Sequence, residues 1–202
     1  MSWIHTVAYG DATGKLRRLY DRIKGPDDNV DNIMMAHSLR PHTMEGHMAI
    51  YKNVLHHSSN TQPKWFLETL GVWVSSLNRC GYCVDHHYAG LRRLLGDDER
   101  AEALRRAIDT STFENAPLDE PQKLAMVYAA RLTRNPAEVS SRMVEGLRHA
   151  GFDDGQILEI NQVVAYFNYA NRTVLGLGLC TEGDIIGLSP GNSDDPDDWN
   201  HG

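Results

Sequence analysis

The sequence contains only three cysteines, and this scarcity argues against a disulfide-stabilised scaffold. Small secreted domains that depend on disulfides carry an even and larger number of cysteines. Two of the three, Cys80 and Cys83, lie in one short motif, while Cys180 is far away in the sequence. This distribution is typical of redox chemistry in a reducing compartment, so we expect a cytoplasmic protein.

The chain also lacks long apolar stretches and clusters of basic residues. No apolar stretch approaches the ~20 residues that a membrane-spanning helix requires, and no secretory signal is visible at the start. The formal net charge is −7 and there is no Lys/Arg-rich run, which argues against nucleic acid or an anionic membrane as a partner. We therefore expect a protein with neither nucleic-acid nor membrane partners.

Strand patterns are missing as well, because no alternation of apolar and polar residues is long enough to predict a strand. Apolar residues recur at helical spacing instead, and Asp153 with Gln156 resembles a helix-starting capping box. A chain of 202 residues suits one ample core. We predict a single all-α domain, a helical bundle over residues 1–188, followed by an acidic flexible tail over residues 189–202.

What the sequence does contain is a compact motif of two thiols and an imidazole. At 100° per residue, Cys80, Cys83 and His87 share one helix face, whereas Asp85 and His86 are expected to point elsewhere. Cys83 and His87 are an (i, i+4) pair, so their side chains can touch directly. A base beside a thiol, with a second thiol in reach, is what redox cysteine chemistry requires.

The predicted start of the motif helix favours a reactive thiol. The helix is expected to run from Asn78 to Leu95 and to stop at Gly96, with Asn78 as its N-cap. Cys80 then falls in the first turn and Cys83 just after it. The free N–H groups and the positive end of the helix dipole stabilise a thiolate there.

Glu68 is a candidate third member of the site, provided that the chain reverses direction near Asn78. On one continuous helix, Glu68 would lie about 18 Å from Cys80, too far to act on it. In a helical hairpin, Glu68 and His87 lie at similar depth on the two arms. A carboxylate in that position orients or deprotonates the imidazole.

The pattern of Glu68, an eleven-residue gap, and then Cys80-x-x-Cys83-x-x-x-His87 resembles a known active-site signature. It is similar to that of the alkyl hydroperoxidase D-like proteins, within the carboxymuconolactone decarboxylase superfamily. The surrounding residues most resemble the branch called peroxidase-related, and the resemblance spans roughly residues 15–185. One position departs from it: the best-studied members carry a histidine where this chain has Tyr82.

The resemblance implies a helical bundle of the alkyl hydroperoxidase D-like type and a thiol-dependent peroxidase that reduces alkyl hydroperoxides. It implies Cys83 as the attacking thiol, in agreement with its spacing from His87, and Cys80 as the thiol that closes a disulfide. It implies no tightly bound cofactor and an external dithiol reductant, such as a lipoyl group on a partner protein. Members of the family are homo-oligomers, whether trimers, hexamers or dimers, and we expect the same here.

Three alternatives stay open from the sequence. A disulfide-exchange or redox-sensing protein with little peroxide turnover would use the same residues. A lactone decarboxylase-type enzyme on the same fold does not call for a cysteine pair. Zinc could take Cys80, Cys83 and His87 as ligands, although structural zinc sites usually draw ligands from two separate segments.

Overall fold

The predicted all-α fold is confirmed. The computed structural model describes residues 2–195 and 197–202, and in this part of the chain the regular elements are helices. Two isolated bridges accompany them, His57 with Ser193 and Pro190 with His201. None of these helices is long and apolar enough to cross a membrane. The α-helices are α1 (Gly14–Ile23), α2 (Asn32–Met35), α3 (Pro41–Leu55), α4 (Lys64–Leu77), α5 (Gly81–Leu95), α6 (Asp98–Thr110), α7 (Glu120–Arg134), α8 (Ser141–His149) and α9 (Asp154–Leu177).

Helix α4 lies at the centre of the molecule. It contacts α3, α5, α6, α7 and α9, and every residue from Phe66 to Ser75 is buried. A helix that is apolar on all sides is stable only when it is surrounded by other elements. Glu68 is the acidic residue of this buried run, and a buried carboxylate requires a charged or hydrogen-bonding partner.

Local signals set several helix ends as predicted. Asp153 caps α9 and forms the expected capping box with Gln156, which satisfies two backbone N–H groups at once. Gly96 ends α5 with a φ of 59°, a left-handed conformation that glycine adopts at little cost.

The chain reverses between α4 and α5 through a left-handed residue, Arg79, with a φ of 59°. The Arg79 N–H donates to the Ser76 carbonyl at 3.0 Å, and the Cys80 N–H donates to the Ser75 carbonyl at 2.9 Å. This pair of bonds is a Schellman ending. It makes Asn78 the end of α4, so the predicted N-cap at Asn78 is wrong: Cys80 is the N-cap of α5.

A buried asparagine of α9 holds this turn in place. Asn171 accepts a hydrogen bond from the Asn78 side chain at 2.9 Å and donates one to Ser75 Oγ at 3.0 Å. Because Asn171 is fully buried, these hydrogen bonds are shielded from water. They fix the position of α4 relative to α9 next to the cysteine motif.

The segment from Ser189 onward, predicted to be a flexible acidic tail, packs against the helices. Lys52 is fully buried, and its ammonium donates to the Gly191 carbonyl at 2.5 Å and to Ser193 Oγ at 2.9 Å. Trp199 is buried in the main core, with the Arg22 guanidinium 3.8 Å from its ring centroid. The aromatic anchor and the buried cation explain this packing; the flexibility of the segment in solution stays a prediction.

Replacing Gly71 by alanine is expected to lower the free energy of unfolding by ~1–3 kcal/mol, the usual cost of overpacking. A Cβ at Gly71 would lie 2.2 Å from ring carbons of Phe167, so α4 and α9 would have to separate. Urea unfolding measures the change. The matched control is Gly46→Ala, an exposed position in α3 with no neighbour within 4 Å of the new Cβ. That variant should gain up to ~1 kcal/mol from helix propensity; equal effects at the two positions would contradict the packing argument.

Candidate active site

The two motif thiols lie side by side at the start of α5. The sulfurs of Cys80 and Cys83 are 2.7 Å apart and share a hydrogen bond. Cys80 is fully buried, whereas Cys83 lines a cavity beneath α3, α5 and α9. Of the two sulfurs, Cys83 is therefore the one that a small molecule in the cavity can reach.

The hydrogen bond between the sulfurs gives the two thiols different pKa values. It lowers the pKa of Cys80, because the neighbouring thiol stabilises a thiolate there. The same hydrogen bond, together with burial, raises the pKa of Cys83 well above its usual range. The first proton to leave the pair therefore comes from Cys80, and the remaining proton lies on Cys83. Moving the remaining proton from Cys83 to Cys80 is enough to place the thiolate on the sulfur that faces the cavity.

The buried Glu68 and the half-buried His87 form a pair, as the predicted chain reversal requires. Glu68 Oε2 lies 2.8 Å from His87 Nδ1, and the Glu68 side chain is only 3% exposed. The edge-to-face contact of His87 with the Phe167 ring, 4.5 Å between centroids, fixes the imidazole plane. When Nδ1–H donates to the carboxylate, Nε2 is left as the basic nitrogen.

The (i, i+4) spacing allows Cys83 and His87 to touch, but the structure shows no hydrogen bond between this thiol and this imidazole in the part of the chain that it describes. The Cys83 sulfur is hydrogen-bonded to the Cys80 sulfur instead, and the His87 imidazole is turned towards Glu68. Both side chains nevertheless line the same cavity. About 40 Å³ of it is open to water centres, enough for about three waters. A water can therefore connect the thiol to the imidazole.

A second polar cluster, which has no recognisable signature in the sequence, lines the same cavity. His86, expected to point away from the site, is buried and lines the cavity together with Tyr82 and Asp31. The Tyr82 hydroxyl donates to Asp184 Oδ2 at 2.6 Å, and His86 Nε2 lies 3.3 Å from the same oxygen. Asp184 is about a hundred residues away along the chain, so no local pattern could have pointed to it.

The cavity continues into an open groove at the surface. The cavity and the groove share three lining residues, Glu68, Gly90 and Ser189. The two spaces therefore meet beside the Glu68 carboxylate. The groove has a volume of about 530 Å³, and Lys64 and Arg93 place two cations along it. The C-terminal segment forms one of its walls, which was not foreseen from the sequence.

The zinc interpretation gains no support from the described residues. No three or more His, Cys, Asp or Glu side chains in that part of the chain are arranged to hold a metal ion.

The fold and the site together define an all-helical protein with a buried dithiol and a histidine–carboxylate pair on one cavity. Among solved structures, this chain resembles an uncharacterized peroxidase-related protein from Silicibacter sp. TM1040, with 26% sequence identity and a TM-score of 0.74 over 89% of this chain and 91% of that chain. It also resembles the alkylhydroperoxidase AhpD core of an uncharacterized peroxidase-related protein from Ralstonia eutropha JMP134, with 20% identity and a TM-score of 0.76 over 92% and 97% of the two chains.

A third similar structure is a protein of unknown function from Agrobacterium tumefaciens, with 20% identity and a TM-score of 0.56 over 71% of this chain and 93% of that one. No protein-family model and no curated protein matches the sequence. The structural neighbours confirm the predicted resemblance to the alkyl hydroperoxidase D-like proteins and their fold.

Proposed function

We propose that the protein is a thiol-dependent peroxidase that reduces hydroperoxides at Cys83. The observation that carries the proposal is the meeting of Cys83 with the Glu68–His87 pair on one small, water-accessible cavity. The peroxidase-related description of two structural neighbours agrees with this activity.

The first step is removal of a proton from the thiol pair. A cavity water carries the proton from the sulfurs to His87 Nε2, and the Glu68 carboxylate stabilises the imidazolium that forms. The proton that stays between the sulfurs moves to Cys80. Cys83 is then a thiolate at the cavity wall.

The second step is oxidation of Cys83. The thiolate attacks the terminal oxygen of a hydroperoxide, so an S–O bond forms, the O–O bond breaks and an alkoxide leaves. The Cys80 sulfur, already in contact with Cys83, then attacks the sulfenic acid. A disulfide forms and the hydroxyl leaves as water, with the proton supplied by the Cys80 thiol.

The third step is reduction by an external dithiol through two thiol–disulfide exchanges. Because Cys80 is fully buried and Cys83 lines the cavity, the donor attacks Cys83 and releases Cys80. A slender donor suits this route better than a dithiol on a protein surface. The lipoyl group implied by the family resemblance has the necessary shape and chemistry.

Mild oxidation is expected to link Cys80 to Cys83 and to leave Cys180 available for alkylation. The sulfurs are already adjacent, so the bond forms without a large movement of the backbone. Peptide mapping by mass spectrometry after oxidation and alkylation identifies the linked pair. A bridge that includes Cys180 would contradict the assignment of the motif.

The proposed activity is tested by comparing oxidants of the reduced protein. We expect tert-butyl hydroperoxide to oxidise the thiol pair faster than a small disulfide at equal concentration, and a dithiol donor to sustain turnover. Thiol loss and alcohol formation are measured together. Faster reaction with the disulfide, and little alcohol, would favour the disulfide-exchange alternative.

A further inference from the structure

The proposed reaction needs a proton donor in addition to the base that the Glu68–His87 pair supplies. That pair acts as a base when it takes a proton from the thiols, whereas the alkoxide leaving the hydroperoxide must gain one. Alkoxides are strong bases, so protonation as the O–O bond breaks lowers the barrier. A separate acid beside Cys83 would divide the two tasks between two groups.

Asp184 provides a fixed negative charge for such an acid. Its carboxylate accepts hydrogen bonds from the Asn32 backbone at 3.0 Å, from the Asn32 side chain at 2.7 Å and from the Tyr82 hydroxyl at 2.6 Å. All of these partners are donors, which is the pattern of an ionised carboxylate. The Asp184 side chain is 1% exposed, so water does not screen its charge.

His86 is the cation-forming group that faces this charge. Its Nε2 is 3.3 Å from Asp184 Oδ2, but this buried nitrogen makes no aligned hydrogen bond. The Tyr82 ring stacks on the imidazole, 4.6 Å between centroids, and fixes its plane. His86 is thus held beside Asp184 with an Nε2 that no hydrogen bond occupies.

Asp31 adds a second carboxyl to the cluster. Burial, with a smaller contribution from the nearby Asp184 charge, raises the pKa of Asp31 to about 6. Its negative form also interacts with His86 and His87. Asp31 is therefore a second acidic group of this cavity, beside the Asp184–His86 contact.

We propose that His86, in its protonated form, is the general acid that protonates the leaving oxygen of the hydroperoxide, with the Asp184 carboxylate 3.3 Å from its Nε2 and Asp31 lining the same cavity. Cys83 and His86 are an (i, i+3) pair and line the same cavity. As the Cys83 sulfur bonds to the terminal oxygen, the imidazolium gives its proton to the departing oxygen. The products are a sulfenic acid, an alcohol and neutral His86. This inference rests on the proposed peroxidase function.

The test uses oxidants that differ in how strongly their leaving group needs a proton. Tert-butyl hydroperoxide releases a strongly basic alkoxide, and peracetic acid releases weakly basic acetate. Iodoacetamide alkylates the same thiolate and releases iodide, which needs no proton. Single-turnover rates of the reduced protein are measured with each reagent for wild type, His86→Gln and Asp31→Asn, with the exposed His5→Gln as a matched control.

We expect His86→Gln to slow the reaction with tert-butyl hydroperoxide by about 10²–10⁴-fold, and the reactions with peracetic acid and iodoacetamide by less than about threefold. Asp31→Asn should show the same selectivity with a smaller loss, and His5→Gln should match wild type. An equal loss with all three reagents, or no loss, would overturn the role of His86.

The three reagents distinguish a wrong role for His86 from a wrong assignment of peroxidase activity. If wild type reacts with iodoacetamide but with neither peroxide, the proposed function itself is wrong. If wild type reacts with both peroxides and His86→Gln shows no dependence on the leaving group, only the role of His86 is wrong. If His86→Gln does not fold, as judged by circular dichroism, Asp31→Asn decides, because selectivity for the alkoxide-releasing substrate is required of it too.

Discussion

Cys83→Ser is expected to abolish peroxide turnover with a dithiol donor, because a serine hydroxyl is not ionised near neutral pH and no other thiol among the described residues lines the cavity. The measurement is hydroperoxide consumption in the presence of excess donor. The matched control is Cys180→Ser, which removes the cysteine outside the motif and should retain wild-type turnover. Turnover by Cys83→Ser at more than a few per cent of the wild-type rate would contradict the assignment of the attacking thiol.

Cys80→Ser distinguishes the role of Cys80 from that of Cys83. This variant should also lose turnover, yet it should consume about one equivalent of hydroperoxide and leave a sulfenic acid on Cys83 that a dimedone-type reagent traps. The hydrogen bond from Cys80 is altered in this variant, so the single oxidation is expected to be slower than in wild type. If the trapped adduct were found at position 80 in Cys83→Ser instead, the roles of the two cysteines would be exchanged.

Glu68→Gln and His87→Ala are expected to lower the rate of Cys83 oxidation by about 10²–10⁴-fold at neutral pH, the usual cost of losing a general base. The 2.8 Å contact between these side chains means that either substitution leaves Nε2 of the imidazole missing or poorly oriented. Both should still form the disulfide eventually. His149→Ala, at an exposed histidine of α8, is the matched control and should behave as wild type.

The pH dependence of this defect distinguishes a base from a structural pair. As pH rises, hydroxide removes the first proton of the thiol pair without help from His87, so the variants should approach the wild-type rate. A structural defect would persist at every pH. Wild-type rates for both variants at neutral pH would mean that Glu68 and His87 are structural and that the chain is a dithiol protein without a proton relay.

Much of the site could be predicted because its geometry is local or depends on one reversal. Helical periodicity relates Cys80, Cys83 and His87 within eight residues. Glu68 joins them once α4 and α5 run antiparallel. The same kind of local signal placed the end of α5 at Gly96 and the capping box at Asp153, since both depend on residues within one helical turn.

The rest depends on tertiary contacts that no spacing reveals. Asp184 reaches His86 from a loop after α9, and the burial that raises the pKa of Asp31 exists only in the folded chain. Asn78 fails as an N-cap because Arg79, an ordinary residue by type, adopts the left-handed conformation that ends α4. The acidic composition after Ser189 predicts a flexible tail, whereas Trp199 of this segment is buried in the core.

The most direct measurement is a single turnover of the fully reduced wild-type protein with one equivalent of tert-butyl hydroperoxide and no reductant. The amounts of tert-butanol, remaining hydroperoxide and protein disulfide are determined on the same sample. The account predicts one alcohol and one Cys80–Cys83 disulfide for each hydroperoxide consumed. Hydroperoxide that persists while the same thiols still exchange with a small disulfide would contradict it.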